Sequence, residues 1–439
     1  MRRVLIAGLV LAAAGAAVVA VAQTPGTPPA ATPTPPRTIP AVPTTPTPAP
    51  ATPAASQPPL AKFEPLAAFP PLTQTAVRGV LLGADWMTRM NQPQGRFLFG
   101  YNPALRTSMP GDHDLKQARA ALALAQAAKF GGDEKQAAMA GQAILTLLTA
   151  TRVDPADPNC RVPVHSSLVC NRVGFAATVA LAVYELPVAD AKLVAEAEKL
   201  CAFLRKQCKA DGSVDYTDSP DDDPGKTDPE GVNEYPGLAL HAIAAGDRLK
   251  PEAWKVEAVK KGVEFYRAYF RTKPHPMLAA TVTPACAELY LKAKTPEAAA
   301  CAFEMNDWLC GVQIAANDPR TPQWAGGFRA LAEGRAAETP PGPETGLYVQ
   351  SLAYACQLTR LTPDLQRFVK YKTAAADAVQ FLTGLQYLET NTRHFDHAFR
   401  ATMLVGGFHI SPTDGNLRID ATATAVTGLV RFLGSGAER

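Results

Sequence analysis

Residues 113–150 read HDLKQARAALALAQAAKF, then GGD, then EKQAAMAGQAILTLLTA. Apolar residues recur at the helical period on both sides of Gly131, Gly132 and Asp133, which predicts helices over 113–130 and 134–150. A joint this short makes the two helices antiparallel neighbours. Hairpins of this kind then recur along the chain.

From Gln74 onward the same periodicity predicts twelve helices: 74–91, 113–130, 134–150, 171–186, 190–208, 234–245, 251–271, 281–293, 296–313, 344–360, 364–386 and 418–433. Brief joints at Gly131-Gly132-Asp133, Pro187, Gly246, Lys294-Thr295 and Thr362 follow the even helices. After every odd helix the chain wanders, through 92–112, 151–170, 209–233, 272–280, 314–343 and 387–417. Alternation of short and long connections sorts the long ones onto one end of the assembly. A site is expected there.

Composition separates the two sets into layers. Odd helices such as DAKLVAEAEKLCAFLRKQ, EAWKVEAVKKGVEFYRAYFR and DLQRFVKYKTAAADAVQFLTGLQ carry charges around an apolar stripe and read as outer helices. Even helices such as GFAATVALAVYEL, PGLALHAIAA, TPACAELYL, ETGLYVQSLAYACQL and IDATATAVTGLV are small and apolar almost all round. They read as buried inner helices. Buried strands are the alternative for such short apolar stretches, but alanine content and length favour helix. The expected fold is all-α, six helical hairpins with inner and outer layers closing an (α/α)6 toroid.

The chain begins MRRVLIAGLVLAAAGAAVVAVAQ, with Arg2 and Arg3, an apolar core and the triplet Ala20-Val21-Ala22. Residues 1–22 read as a secretory signal peptide, so the chain is expected to be exported to the periplasm, cell surface or extracellular space. An uncleaved anchor is the alternative. Residues 23–59 repeat Pro, Thr and Ala with Arg37 as the single charge, and read as a disordered linker. The toroid domain is expected over 60–439. Net charge is +3, and +1 once Arg2 and Arg3 are removed, which leaves no electrostatic footprint for nucleic acid. Beyond the signal no apolar stretch is long enough to span a bilayer.

Eight cysteines in an exported chain invite disulfides, and Cys160 and Cys170, which bracket one long loop, are the expected bridge. Cys201 and Cys208 lie two turns apart on one helix, too far to bridge unless the helix ends early. Cys286, Cys301, Cys310 and Cys356 fall within predicted helices and read as small apolar residues. No Cys/His spacing suggests zinc, and the run Asp221-Asp222-Asp223 reads as a solvated loop rather than a calcium site. No phosphate-cradling loop or dinucleotide fingerprint appears, so neither a cofactor nor a metal is expected.

A diverged repeat marks the ends of odd helices. DWMTRMNQPQGRFLF, AFLRKQCKADGSV, DWLCGVQ with WAGGF, and QFLTGLQ with VGGF share a helix-ending apolar pair, a Gln, and a Gly then usually an aromatic. Trp86, Trp308 and Phe381 are expected to pack between layers, while Gln207, Gln313 and Gln386 bond to exposed carbonyls at helix ends. The bland reading is structural glue.

With these hairpins and repeats the chain resembles the alpha/alpha toroids over nearly all of residues 74–433. It is similar both to six-hairpin glycosidase-like proteins and to terpenoid-cyclase-like repeat proteins. The first resemblance implies a pocket where the long loops gather, with catalytic carboxylates near the starts of inner helices. Carried onto this sequence, it points to Asp114 and Glu234 first, with Asp112, Glu230 and Asp420 next. Asp228 and Glu344 stand at the same kind of position. Tyr101, Tyr235, Trp324, Phe328, Tyr348 and Phe408 are then candidate sugar-binding aromatics, and Arg119 and Arg418 candidates for acidic or polar sugar groups. Glycoside cleavage needs one protonated and one ionised carboxyl, which a ring of acids supplies. The bland alternative for each acid is capping at a helix start, and for Arg418 with Asp420 closure of the last hairpin on the first.

The terpenoid-cyclase resemblance implies an acid cluster acting on an isoprenoid in an aromatic cavity. The one dense acid run lies in a Pro/Gly loop and aromatics make up 7% of the chain, so that activity is rejected while the kinship of fold is kept. His113 and His165 lie near the expected mouth, with His394, His397 and His409 in the last long loop; none has metal-ligand spacing, and proton transfer is the role open to them. The expected partner is a polysaccharide or oligosaccharide, with hydrolase, lyase and epimerase-like chemistry all open. The alternative is a non-catalytic binding or scaffolding toroid.

Overall fold

A computed structural model describes residues 66–437 apart from 167–168, 218–227, 229, 319–320 and 333–334. The expected signal peptide and linker, and the Asp221-Asp222-Asp223 run, lie outside the described residues. Among the described residues twelve long helices form the body: α1 Pro71–Met90, α2 Asp114–Gly131, α3 Glu134–Leu148, α4 Arg172–Glu185, α5 Ala191–Gln207, α6 Gly231–Leu249, α7 Ala253–Thr272, α8 Pro276–Ala293, α9 Pro296–Gly311, α10 Thr345–Leu361, α11 Leu365–Gly384 and α12 Ile419–Leu433. Each even helix packs against the two even helices beside it, and α12 returns to α2. Six inner helices therefore close a ring, with the odd helices packed outside it.

Burial follows composition. In α4 every residue from Val173 to Glu185 is buried, and in α8 every residue from Leu278 to Leu289. Outer α5 buries only Ala197, Leu200, Cys201, Phe203 and Leu204, a single stripe. Inner helices need small residues because they meet backbone to backbone. A Cβ on Gly346 of α10 would lie 2.2 Å from the Thr424 carbonyl oxygen of α12.

Five of the expected long connections are long, and the one expected over 272–280 is not. Pro276 occupies the first turn of α8, where its missing amide costs nothing, and His275 Nδ1 accepts from the Met277 amide at 3.2 Å. The helix so begins five residues early, and α7 joins α8 through Lys273, Pro274 and His275 alone. Four of the remaining long loops carry short strands among the described residues, with β3 (Thr151–Asp154) paired to β4 (Asp157–Pro163) and β5 (Leu331–Ala332) to β6 (Arg335–Ala336). A four-stranded sheet in the order β2-β1-β8-β7 joins β1 (Gly100–Asn102) and β2 (Thr107–Ser108), which follow α1, to β7 (His409–Ser411) and β8 (Asp414–Arg418), which precede α12. Gly100 pairs with Arg418 and Tyr101 with Leu417. The two ends of the body are thereby laced together.

The diverged repeat is one structural device used four times. Isolated antiparallel bridges form at Asn91 with Phe97, Cys208 with Val214, Gln313 with Phe328 and Gln386 with Phe408. Gln386 Nε2 donates to the carbonyls of Gly406 and Gly79, each at 3.0 Å, and Gln313 Nε2 to those of Gly326 at 3.0 Å and Ala374 at 2.8 Å. The acceptors are a loop glycine and a carbonyl within the next outer helix, rather than helix-end carbonyls. At Gln207 it is the main-chain carbonyl that accepts, from the Asp215 amide at 2.9 Å. Gly406 has φ +97° and lies so close to α1 that a Cβ there would sit 2.1 Å from the Leu82 carbonyl oxygen. Trp86 is fully buried between the layers and donates to the Met403 carbonyl at 2.8 Å.

The bridge expected between Cys160 and Cys170 is not formed; both are free, buried thiols. Cys160 faces Lys206 across the outer layer, whereas Cys170 faces the start of α2 at Leu115 and Asp114. Their side chains serve different neighbours.

Replacing Gln386 by Leu removes the two side-chain hydrogen bonds that tie Gly79 of α1 and the loop residue Gly406 to the end of α11. Urea denaturation is expected to show a loss of about 1–3 kcal/mol; an unchanged midpoint would refute the assignment of the repeat as interlayer glue.

Candidate functional site

Because every inner helix starts at the long-loop end, its unpaired amides and first-turn acids face one mouth. Arg96, in the loop after α1, organises the start of α2. Its Nε donates to Asp112 Oδ2 at 2.6 Å and its Nη2 pairs with Asp114 Oδ1. Asp112 Oδ1 also accepts from Gln117 Nε2 and from the His113 amide, each at 2.8 Å. The second oxygen of Asp114 is taken by His165 Nε2, and the imidazole packs edge-on against Phe175 at 5.1 Å. Burial pushes the Asp114 carboxyl up, but Arg96 and His165 outweigh it and hold the group below the usual carboxylate range.

Across the mouth, Arg418 grips both oxygens of Asp420, with Nε to Oδ1 at 2.9 Å, and Lys116 Nζ stands 3.9 Å from Oδ2. Burial raises the Asp420 carboxyl and these cations more than reverse the shift, so it too stays ionised. Glu234 of α6 pairs with Arg119 of α2. Two other acids behave oppositely. Burial lifts Asp228, whose Oδ1 accepts from the Gly231 amide at 2.9 Å, and nearby Glu230 lifts it further. Burial also lifts Glu344, only partly offset by its own amide, by that of Gly342 at 2.7 Å, and by Arg418. Ionised and protonation-prone carboxyls around one mouth are the setting that acid–base chemistry requires.

Below the mouth an axial cavity of about 50 Å³ is lined by all six inner helices. Its walls keep a seven-residue rhythm: Arg119 and Gln126 on α2, Thr178 and Glu185 on α4, Glu234 and His241 on α6, Thr424 and Arg431 on α12. Two helical turns make it about 10 Å deep. Its floor is ionic. Glu185 is held by Arg431 at 2.6 Å, Lys129 at 3.5 Å and Arg248 at 3.6 Å, cations on the last turns of α12, α2 and α6 where the helix dipole favours them.

The structure gathers Asp112, Asp114, Arg119, Glu234, Arg418 and Asp420 at this mouth, but four of the five expected catalytic acids are already ion-paired. Glu230 is the exception: 65% exposed, it accepts from Asn233 Nδ2 at 2.9 Å and lies 3.5 Å from His275. The expected aromatic platforms need correction. Tyr101, Phe328, Tyr348 and Phe408 are at most 7% exposed, so no sugar face can stack on them. Phe328 and Phe408 are the aromatics of the repeat, and Phe328 packs edge-on against Tyr348 at 4.9 Å. Tyr235 and Trp324 remain half-buried, with Tyr235 tilted against Tyr216 at 6.4 Å. Arg96 is the residue that sequence reading missed, since nothing in GRF marks it as an organiser of two distant acids. Among the described residues no group of His, Cys, Asp and Glu is placed to hold a metal ion.

No protein-family model and no curated protein matches the chain. Its fold is shared with solved structures. Unsaturated glucuronyl hydrolase from Bacillus sp. GL1 superposes with a TM-score of 0.57 at 13% identity, covering 82% of this chain and 96% of that one. D-mannose isomerase gives 0.57 at 11%, covering 83% and 99%. The GH76A alpha-1,6-mannanase from Salegentibacter sp. HEL1_6 gives 0.53 at 10%, covering 82% and 97%. At such identities the likeness establishes the fold alone, an alpha/alpha toroid of six helical hairpins.

The Asp114 cluster carries a signed pH dependence. A folded carboxyl titrating below its unfolded value of about 3.9 stabilises fully above that value and stops doing so as pH falls through the lower folded value. Asp114→Asn is expected to lower the urea midpoint at neutral pH, with the gap to the parent closing in strong acid. A gap independent of pH would contradict the pairing.

Proposed function

We propose that the chain is an exported, carbohydrate-directed protein whose site is the acidic mouth of the toroid. The supporting observation is the meeting there of carboxyls held ionised, Asp114 and Asp420, with carboxyls lifted towards protonation, Asp228 and Glu344. Glu234 remains the first choice for a group that meets substrate, since it lines the upper cavity beside Arg119. Asp114, with both oxygens engaged, acts as a fixed negative charge that orients His165. Asp112, Glu230 and Asp420 rank behind them. Arg119 and Arg418 offer guanidinium donors to polar sugar groups.

Fold neighbours lend the substrate class. They are described as a glucuronyl hydrolase, a mannose isomerase and a mannanase, one inactive variant of the last in complex with alpha-1,6-mannotriose. Hydrolase, lyase and epimerase-like chemistry all use a paired acid and base at such a mouth. Export is supported by the Arg2-Arg3 start, the apolar core and the Ala20-Val21-Ala22 triplet. The narrowness of the cavity favours a second reading, a carbohydrate-binding toroid without catalysis.

Incubating the purified protein with polysaccharides and oligosaccharides, and recording retention with new reducing or unsaturated ends, separates the readings. Turnover is expected, and Glu234→Gln is expected to cut it by about 10²–10⁴-fold, the usual range for a lost proton-transfer group. Retention without any product would support the binding reading instead, and turnover indifferent to Glu234→Gln would move the chemistry elsewhere on the mouth.

A further inference from the structure

Four residues lining the axial cavity each carry a buried side-chain atom that makes no hydrogen bond. Gln126 Oε1 and His241 Nε2 are neutral, in residues only 4% and 5% exposed, and Glu234 Oε1 and Arg431 Nε belong to charged groups whose charge an ion pair already balances. Buried polar atoms are nearly always paired, so four unpaired atoms around one space call for an occupant that both donates and accepts.

The walls restrict what that occupant is. Burial, reinforced by Arg431 and Arg248, holds the His241 imidazole down to about 3, so the ring is neutral at ordinary pH and presents one donor and one acceptor nitrogen. Thr178, Thr427 and Gln350 add hydroxyl and amide groups, and Leu238 and Leu347 add apolar wall. Charge is balanced in pairs, Arg431 with Glu185 on the floor and Arg119 with Glu234 at the top, so the open Arg431 Nε and Glu234 Oε1 lack hydrogen bonds rather than counter-ions. An ion therefore gains nothing here. Space for about four water molecules is too little for a whole sugar ring but enough for its hydroxylated edge. The ionic floor prevents a chain from threading through.

We propose that the axial cavity is the deep end of the carbohydrate site, receiving one uncharged, hydroxyl-bearing edge of a free or chain-terminal sugar residue that enters past Arg119 and Glu234. This rests on the carbohydrate reading and narrows it to free sugars and chain ends. Internal residues of a polymer cannot present such an edge to a blind, narrow cavity.

The test follows the His241 ring in the protein labelled with nitrogen-15 at histidine, during titration with free hexoses, their methyl glycosides and end-free cyclic oligosaccharides, alongside calorimetry. A hexose or methyl glycoside is expected to shift the Nε2 resonance saturably, while the cyclic compounds leave it unmoved. Gln126→Leu, close in volume, is expected to weaken that binding about tenfold, the worth of one buried hydrogen bond. Calorimetric binding with the His241 resonance unmoved and the Gln126→Leu affinity unchanged would overturn the deep-cavity assignment and leave the carbohydrate reading standing. Absence of calorimetric binding by every sugar would overturn both.

Discussion

Everything in this molecule depends on closing the ring, because an inner helix that is apolar on all sides is stable only with neighbours on both flanks. Each interior helix of the series has two such neighbours by chain order. The first and last inner helices, α2 and α12, have one such neighbour each, α4 and α10, and must use each other as the second. Their contact is secured at the mouth, where β1 pairs with β8 and Lys116 of α2 approaches Asp420 of α12. It is secured in the outer layer by α1, which packs on α12 and accepts the Gln386 side chain at Gly79. Arg418 and Asp420 stand where β8 passes into α12, so the acid considered for chemistry also serves closure.

That double duty explains the character of the mouth. First-turn acids cap amides and complement helix dipoles whether or not a substrate ever arrives. Here they also meet Arg96, Lys116, Arg119 and Arg418, so acids and cations neutralise one another pairwise. A neutral but strongly dipolar rim suits hydroxyl-rich ligands, which exchange hydrogen bonds without a net charge to match. Cations gathered on the opposite ends of the inner helices close the floor by the same dipole logic, and make the ring a blind vessel rather than a pore.

Helix number, alternation and layer were legible in the sequence because they are properties of periodicity and composition, and both survive without knowledge of partners. VGFAATVALAVYE can only be an inner helix, and its complete burial follows. The early start of α8 was hidden by Pro276, which reads as a breaker until its first-turn position is known. Long-range pairing was not legible at all. Arg96 meets acids 16 and 18 residues away across a loop, and His165 reaches Asp114 over 51 residues, separations that no motif encodes. The aromatics misled for a related reason. Phe328 and Phe408 follow glycines that abut the neighbouring outer helix, so the same repeat that draws attention to them also buries them. Cysteine spacing, likewise, says how long a loop is but not which way its thiols face.

A structure of the protein with a bound oligosaccharide tests the account most directly. The account predicts sugar density at the long-loop mouth, in hydrogen-bond contact with Glu234 and Arg119, with Asp114 still held by Arg96 and His165. Sugar seated on the outer layer or at the ionic floor, with the mouth pairs undisturbed and unoccupied, would contradict it.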